Sequence, residues 1–119
     1  MTYNYNGSGV FAPSGDNYLI QATGNASTTA TELKAAGAVQ ILADQNVAIA
    51  FNAYDDSFLP SAVFPTTPGV QGEGSIIQKD RQTVIAIPGV GSYNTTGVMY
   101  VAVASDVTAN VYISLGDLV

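Results

Sequence analysis

The sequence predicts an all-β protein, a single antiparallel β-sandwich or jelly roll of about seven or eight strands. Three observations support this fold class. The chain has 13 Val and 8 Ile against 6 Leu, and β-branched side chains favour strands. Large apolar residues recur at every second position in several segments that turn residues separate. The length of 119 residues is that of one domain.

The first half of the chain contains four segments predicted to form strands, one of them with irregular structure as the alternative. Residues 17–22 predict a strand. Residues 29–36 have the only helix-forming composition, but so short a helix is marginal, and we predict strand or irregular structure there. Residues 39–43 and 47–51 each alternate large apolar side chains around the polar residues 44–46. This pattern predicts an antiparallel hairpin with one buried face.

The second half repeats the alternation. We predict a short strand at residues 75–78 and longer strands at 83–87, 98–104 and 110–115. One face of each of the last two strands is apolar, and we expect it to lie in the core. The alternate positions, which are Tyr100, Ala102, Tyr112 and Ser114, are expected to face solvent or a neighbouring chain.

Two segments show no periodicity. Residues 1–16 are rich in Tyr, Asn, Gly and Ser, and we assign them to an extended N-terminal arm preceding a β-sandwich domain of residues 17–119. Residues 52–74 contain three prolines and form one long loop. A loop of this length is unusual in a compact domain, so we expect it to be functional or packed on another surface.

The composition argues against catalysis. The chain contains no Cys and no His, so it has no thiol nucleophile and lacks the commonest general base. Carboxylate pairs are available among Asp55, Asp56, Glu73 and Asp80, but no spacing selects one of them. We therefore predict no catalytic residues, no cofactor and no enzymatic activity.

A metal site has one candidate. Asp55 and Asp56, with Asn52 nearby, offer the oxygen ligands that calcium prefers. The segment lacks the residue order of an EF-hand, and a solvent-facing turn is the better interpretation, so we predict no metal ligand.

The charge and the apolar pattern of the chain argue against nucleic acid and membrane as partners. Three basic residues stand against nine acidic ones, for a net charge of −6, and three scattered cations cannot neutralise a nucleic-acid backbone. No apolar run is long enough to cross a bilayer, so we expect no membrane segment. Charged residues make up only 10% of the chain against about 25% in an average domain, which indicates either that a partner covers much of the surface or that the surface is meant to be neutral.

Aromatic residues cluster in the irregular segments, and Tyr is enriched at protein interfaces. Either these rings close the ends of the sandwich, or the arm and the loop dock onto neighbouring subunits. The predicted partner-interface residues are Tyr3, Tyr5, Phe11, Tyr54, Phe58, Phe64 and Tyr93.

The order of the segments in the last two thirds of the chain carries a resemblance. Residues 38–52 have a hairpin-like pattern of the type V-x-I-x-A-D-x-x-V-x-I-x-F, followed by a variable loop. A strand ending in Ile87-Pro88, the sequence Tyr-Val-Ala-Val at 100–103 and the final strand 110–115 come next. In this order the segments resemble small bacteriophage virion proteins of the head decoration, or cement, type and other minor head or neck components.

The resemblance implies a function and a location. It implies a non-enzymatic structural protein that bridges major capsid subunits and stabilises the head, acting as a homo-trimer on the capsid surface. The partners would be the major capsid protein and copies of the chain itself, with assembly in the cytoplasm of the bacterial host. The alternatives are another virion component, such as a neck, tail or head-fibre base protein, or a carbohydrate-binding β-sandwich module.

Overall fold

The computed structural model describes residues 10–24, 26–27, 30–52, 59–87 and 97–119. These residues are entirely strands and connections, and they confirm the predicted all-β class. In chain order the strands are β1 (Phe11–Ala22), β2 (Ala26–Ser27), β3 (Thr31–Lys34), β4 (Ala38–Ala43), β5 (Val47–Asn52), β6 (Ala62–Val63), β7 (Ser75–Ile77), β8 (Thr83–Ala86), β9 (Val98–Ala104) and β10 (Ala109–Leu118).

Two antiparallel four-stranded sheets form the sandwich. Sheet I has the order β1-β10-β4-β8, and sheet II has the order β3-β9-β5-β7. The pairs are nested: β1 pairs with β10, β3 with β9, β4 with β8, and β5 with β7. A long antiparallel ribbon that wraps around a core produces this nesting, which is the topology of a jelly roll.

The predicted hairpin of residues 39–43 and 47–51 is wrong, although both strands exist. β4 pairs with β10 and β8 in sheet I, whereas β5 pairs with β9 and β7 in sheet II. The polar residues 44–46 therefore carry the chain from one sheet to the other. Alternating apolar residues look the same whether the next strand pairs beside the first or packs opposite it, so periodicity alone could not distinguish the two arrangements.

The sheet begins earlier than the sequence indicated. β1 starts at Phe11 and not at Asn17, because Phe11, Ala12 and Pro13 pair with Leu118, Asp117 and Gly116 of β10. The register then shifts between Pro13 and Asn17, where a bulge contains Gly15 at φ +99°. The expected boundary of the arm at residue 16 thus falls inside a strand. Residues 1–9 lie outside the described part of the chain.

The core lies between the two sheets. Alternate residues of the central strands point inward, as predicted for the apolar faces of residues 98–104 and 110–115. The largest of these fully buried side chains are Val39, Ile41, Val47, Ile49, Met99, Val101, Val111, Ile113 and Leu115. Tyr18, Ile20, Phe51 and Ile85 pack at the margin of this cluster.

A third layer covers part of the outer face of sheet II. β6 pairs with β2, and Val63 forms a bridge with Glu73, so part of the predicted loop 52–74 is ordered on the sheet. Below it lies a cluster of alanines, with Ala48, Ala102 and Ala104 from the sheet and Ala62 from β6. Because these side chains are small, the two layers approach closely, and β9 is buried on both faces. The expectation that Ala102 faces solvent or a neighbouring chain is therefore wrong, since the third layer of the same chain covers it.

Candidate interaction surface

The outer face of sheet I carries a row of exposed apolar side chains. Tyr112, on the central strand β10, is paired with Leu19 of β1 on one side and with Leu42 of β4 on the other. The three side chains are 50%, 57% and 42% exposed, respectively. Since residues directly opposite each other in a sheet lie on the same face, these side chains form one continuous apolar row across three strands.

Amide and hydroxyl side chains flank this row. Asn17, Ser114 and Gln40 are register partners across the same three strands. On the other side, Gln21 Nε2 donates to Asn110 Oδ1 at 3.3 Å. Each of these side chains can both donate and accept hydrogen bonds, so this part of the surface can pair with donors or with acceptors of a partner.

We call this surface the neutral face. It consists of the outward-facing residues Asn17, Leu19, Gln21, Gln40, Leu42, Val84, Ala86, Asn110, Tyr112 and Ser114. None of these ten residues is Asp, Glu, Lys or Arg, although the chain carries a net charge of −6. The negative charge therefore lies elsewhere, and the neutral face suits an uncharged protein surface.

Charged residues border the neutral face at its two ends. Asp44 accepts hydrogen bonds from Asn110 at one end. At the other end Lys34 Nζ lies 3.2 Å from Asp16 Oδ2. Both side chains of this pair are about half exposed or more, and solvent screens such pairs strongly.

Of the predicted interface residues, the structure describes Phe11 and Phe64. Phe11 is half-buried against Gly116, where an added Cβ would lie 2.8 Å from its ring. Phe64 is half-buried against the alanine cluster of the third layer. Both rings therefore pack within the chain, and each keeps an accessible part. The remaining predicted interface residues, Tyr3, Tyr5, Tyr54, Phe58 and Tyr93, lie outside the described residues.

A cleft opens at one end of the sandwich, with a volume of about 320 Å³. Its polar lining residues are Ser14, Asp16, Lys34 and Asp117. The Ser14 hydroxyl donates to the Leu115 carbonyl oxygen at 3.1 Å, and the Lys34 ammonium is paired with Asp16. Ser14 thus donates to a carbonyl rather than to a base, and this arrangement does not activate a nucleophile.

The predicted candidates for metal or carboxylate chemistry are not brought together in the described part of the chain. There, no cluster of three or more acidic side chains could hold a metal ion. Asp55 and Asp56 lie outside the described residues. Glu73 Oε1 accepts a hydrogen bond from Ser61, and Asp80 occupies a turn at φ 58°. Within the same residues, no helix is long and apolar enough to cross a membrane.

Sequence reasoning did not select Leu19 and Leu42, and it placed Tyr112 only at a position facing solvent or a neighbour. The information was present: both leucines interrupt the polar side of an alternating strand. A strand with apolar residues on both faces is also typical of a sheet that is covered on both sides, so the pattern became informative only once the structure showed which face is open.

Comparisons with known proteins add no family. A scan against protein-family models, a search of curated proteins and a search of solved structures each found no match. The function is therefore inferred from the jelly-roll fold and from the neutral face.

Proposed function

We propose that this chain is a non-enzymatic structural protein that binds a protein surface through the neutral face. The observation that supports this proposal is the uncharged outer side of sheet I, where Leu19, Tyr112 and Leu42 are exposed in one row. Exposed apolar residues that form a contiguous patch mark interaction sites, whereas scattered ones do not. An aromatic residue between two aliphatic ones is the composition expected at the centre of an interface.

The more specific proposal is a virion protein, foremost a decoration or cement protein on the capsid of a bacteriophage. The jelly roll supports this role, because it is a common fold of viral capsid domains. The same fold also occurs in lectins and cupins, so the fold alone does not decide the function. The sequence resemblance of residues 38–119 to small phage virion proteins is the second line of support.

The proposed partner is the major capsid protein, and the proposed location is the outside of the head, reached by assembly in the host cytoplasm. A capsid presents the same binding site many times. If copies of the chain are linked to one another, weak contacts at each site combine into firm attachment. A single face of modest size is then sufficient for stabilising the shell.

The test is sedimentation of the purified chain with capsids of the phage that encodes it. Leu42→Lys places a charge in the neutral face, and we expect it to abolish co-sedimentation. Ile76→Lys is the matched control, because Ile76 is a comparably exposed aliphatic residue, 51% against 42%, on a strand of sheet II. Unchanged attachment of the Leu42→Lys protein would contradict the proposed binding face. Failure of the unaltered chain to sediment with capsids would contradict the decoration role.

Quantitative mass spectrometry of purified virions separates the head from the alternative locations. A copy number comparable with that of the major capsid protein is expected for a decoration protein. A copy number matching a neck or tail ring would instead assign the chain to one of those structures.

A further inference from the structure

The four edge strands of the sandwich differ in how they avoid pairing with other chains. β3 carries Glu32 and Lys34, and charged side chains discourage edge pairing. β7 and β8 are short, with three and four residues. β1 has twelve residues, and only its first half contains protecting features, namely Pro13 and the bulge before Asn17.

The second half of β1, residues 17–22, has no such protection. It contains no charged residue, no Pro and no Gly. These residues pair with β10 on one side only, and among the described residues no strand pairs with the other side. An edge segment without charge, Pro or a bulge presents backbone N–H and C=O groups to another strand.

We propose that two copies of the chain associate through this edge, with β1 of one copy antiparallel to β1 of the other around a two-fold axis at Leu19. The two copies of sheet I then form one continuous eight-stranded sheet. This inference goes beyond the proposed function and concerns the isolated chain. It differs from the homo-trimer that the sequence resemblance implies, and the mass of the assembly distinguishes the two.

The side chains favour this register. With Leu19 opposite Leu19, Asn17 lies opposite Gln21, so amides pair with amides that both donate and accept. Tyr18 lies opposite Ile20 on the inner face, where both already pack against the core of their own chain. If the two-fold axis lay at Ile20 instead of Leu19, Leu19 would lie opposite Gln21 and these matches would be lost.

The charges also favour a second copy over a foreign strand. A basic partner would be attracted by the net charge of −6, but residues 17–22 offer it no carboxylate. Two copies carrying the same negative charge repel each other least where neither has a charged side chain. The paired edge would also join the two apolar rows, Leu42–Tyr112–Leu19 in each copy, into one row.

Sedimentation equilibrium of the full chain tests the proposal over concentrations from about 1 µM to about 1 mM. We expect a reversible monomer–dimer equilibrium, with a limiting mass twice the 12.2 kDa of one chain. Leu19→Lys would set two ammonium groups opposite each other and should weaken dimerisation at least tenfold. Ile76→Lys, 51% exposed against 57% for Leu19 and also on an edge strand, should leave the dimer unchanged.

Two further measurements separate edge pairing from other contacts. Leu42 lies on β4, two strands away from the β1 edge, so the Leu42→Lys protein should still form the dimer. Loss of the dimer in this variant would indicate that the copies pack face to face, and it would overturn the proposal. Amide hydrogen exchange should show protection of residues 17–21 that rises with protein concentration. A monomer at all concentrations, a trimer, or exchange at residues 17–21 that does not depend on concentration would each overturn it. A capsid-binding chain that stays monomeric would leave the proposed function intact.

Discussion

Asp44 and Asn110 are joined by three hydrogen bonds. Asp44 Oδ1 accepts from the Asn110 backbone N–H at 2.7 Å, and Asp44 Oδ2 accepts from Asn110 Nδ2 at 3.2 Å. The Asp44 backbone N–H donates to the Asn110 carbonyl oxygen at 3.1 Å. These bonds connect the first residue of the segment 44–46, which crosses from sheet I to sheet II, to the beginning of β10. It therefore helps to direct β5 away from β4 and into sheet II.

Removing the Asp44 carboxylate should destabilise the fold. Asp44→Ala deletes two acceptors, one of them for a backbone N–H. We expect a loss of about 1 to 2 kcal/mol in the free energy of unfolding, since Asp44 is exposed and solvent replaces part of the interaction. Urea unfolding followed by circular dichroism measures the change. Asp106→Ala, at another exposed turn aspartate, is the control and should change stability less.

Ser105 gives a second prediction at the same end of the molecule. Its side chain is fully buried, and its hydroxyl donates to the Asn46 carbonyl oxygen at 2.7 Å. Ser105→Ala leaves that carbonyl without this donor and should cost about 1 to 3 kcal/mol of unfolding free energy. Ser61→Ala removes an exposed hydroxyl that donates to Glu73, and the loss there should be smaller. Equal losses in the two variants would contradict the role of burial.

A side chain at position 116 is expected to displace the start of β1. A Cβ at this position would meet the Ala12 carbonyl oxygen and the ring of Phe11. Gly116→Ala should therefore push the first residues of β1 away from β10 and cost about 1 to 3 kcal/mol. Faster amide hydrogen exchange at residues 10–13 would accompany the loss. Ser114→Ala, on the same face of β10, adds no volume and should leave this exchange unchanged.

The alanine cluster under the third layer predicts that larger side chains are not tolerated there. Ala104 is fully buried between sheet II and β6. Ala104→Leu should force these layers apart and destabilise the protein by about 1 to 3 kcal/mol or more. Ala86→Leu makes the same change at an exposed site of sheet I and should be nearly neutral. Thermal unfolding of the two variants provides the comparison.

The proposed binding face predicts a weak dependence on salt. Contacts made by uncharged side chains are little affected by screening, whereas contacts between exposed charges weaken as ionic strength rises. Attachment to capsids through the neutral face should therefore change little between about 0.1 M and about 1 M salt. A steep loss of attachment over this range would indicate that the acidic surface of the chain, and not the neutral face, makes the contact.

The sequence predicts the fold class and most strands because alternation of Val, Ile and Ala is a local property. It fails where the outcome depends on distant residues. The predicted hairpin required knowing whether β5 pairs beside β4 or opposite it, and the bonds that favour the crossing come from Asn110. The composition of residues 1–16, rich in Tyr, Asn, Gly and Ser, predicts an irregular arm that includes Phe11, although Phe11 begins β1 and a bulge interrupts that strand between Pro13 and Asn17.

The candidate site was harder to predict than the fold. Aromatic content drew attention to Phe11 and Phe64, both of which pack within the chain. Leu19 and Leu42 each interrupt the polar side of an alternating strand, but this pattern does not tell whether another layer covers that side. Only the sheet order shows that their side of sheet I is open in the described part of the chain, while part of the corresponding side of sheet II is covered by β6.

The nested strand pairing determines when the chain can fold during synthesis. β10 follows the other described strands in the sequence, yet it lies between β1 and β4 at the centre of sheet I. Until a ribosome has released residues 109–118, β1 and β4 have no shared partner and their apolar faces remain uncovered. Sheet I can therefore form only after residues 109–118 have left the ribosome, and a nascent chain stalled before this segment would be prone to aggregation and proteolysis.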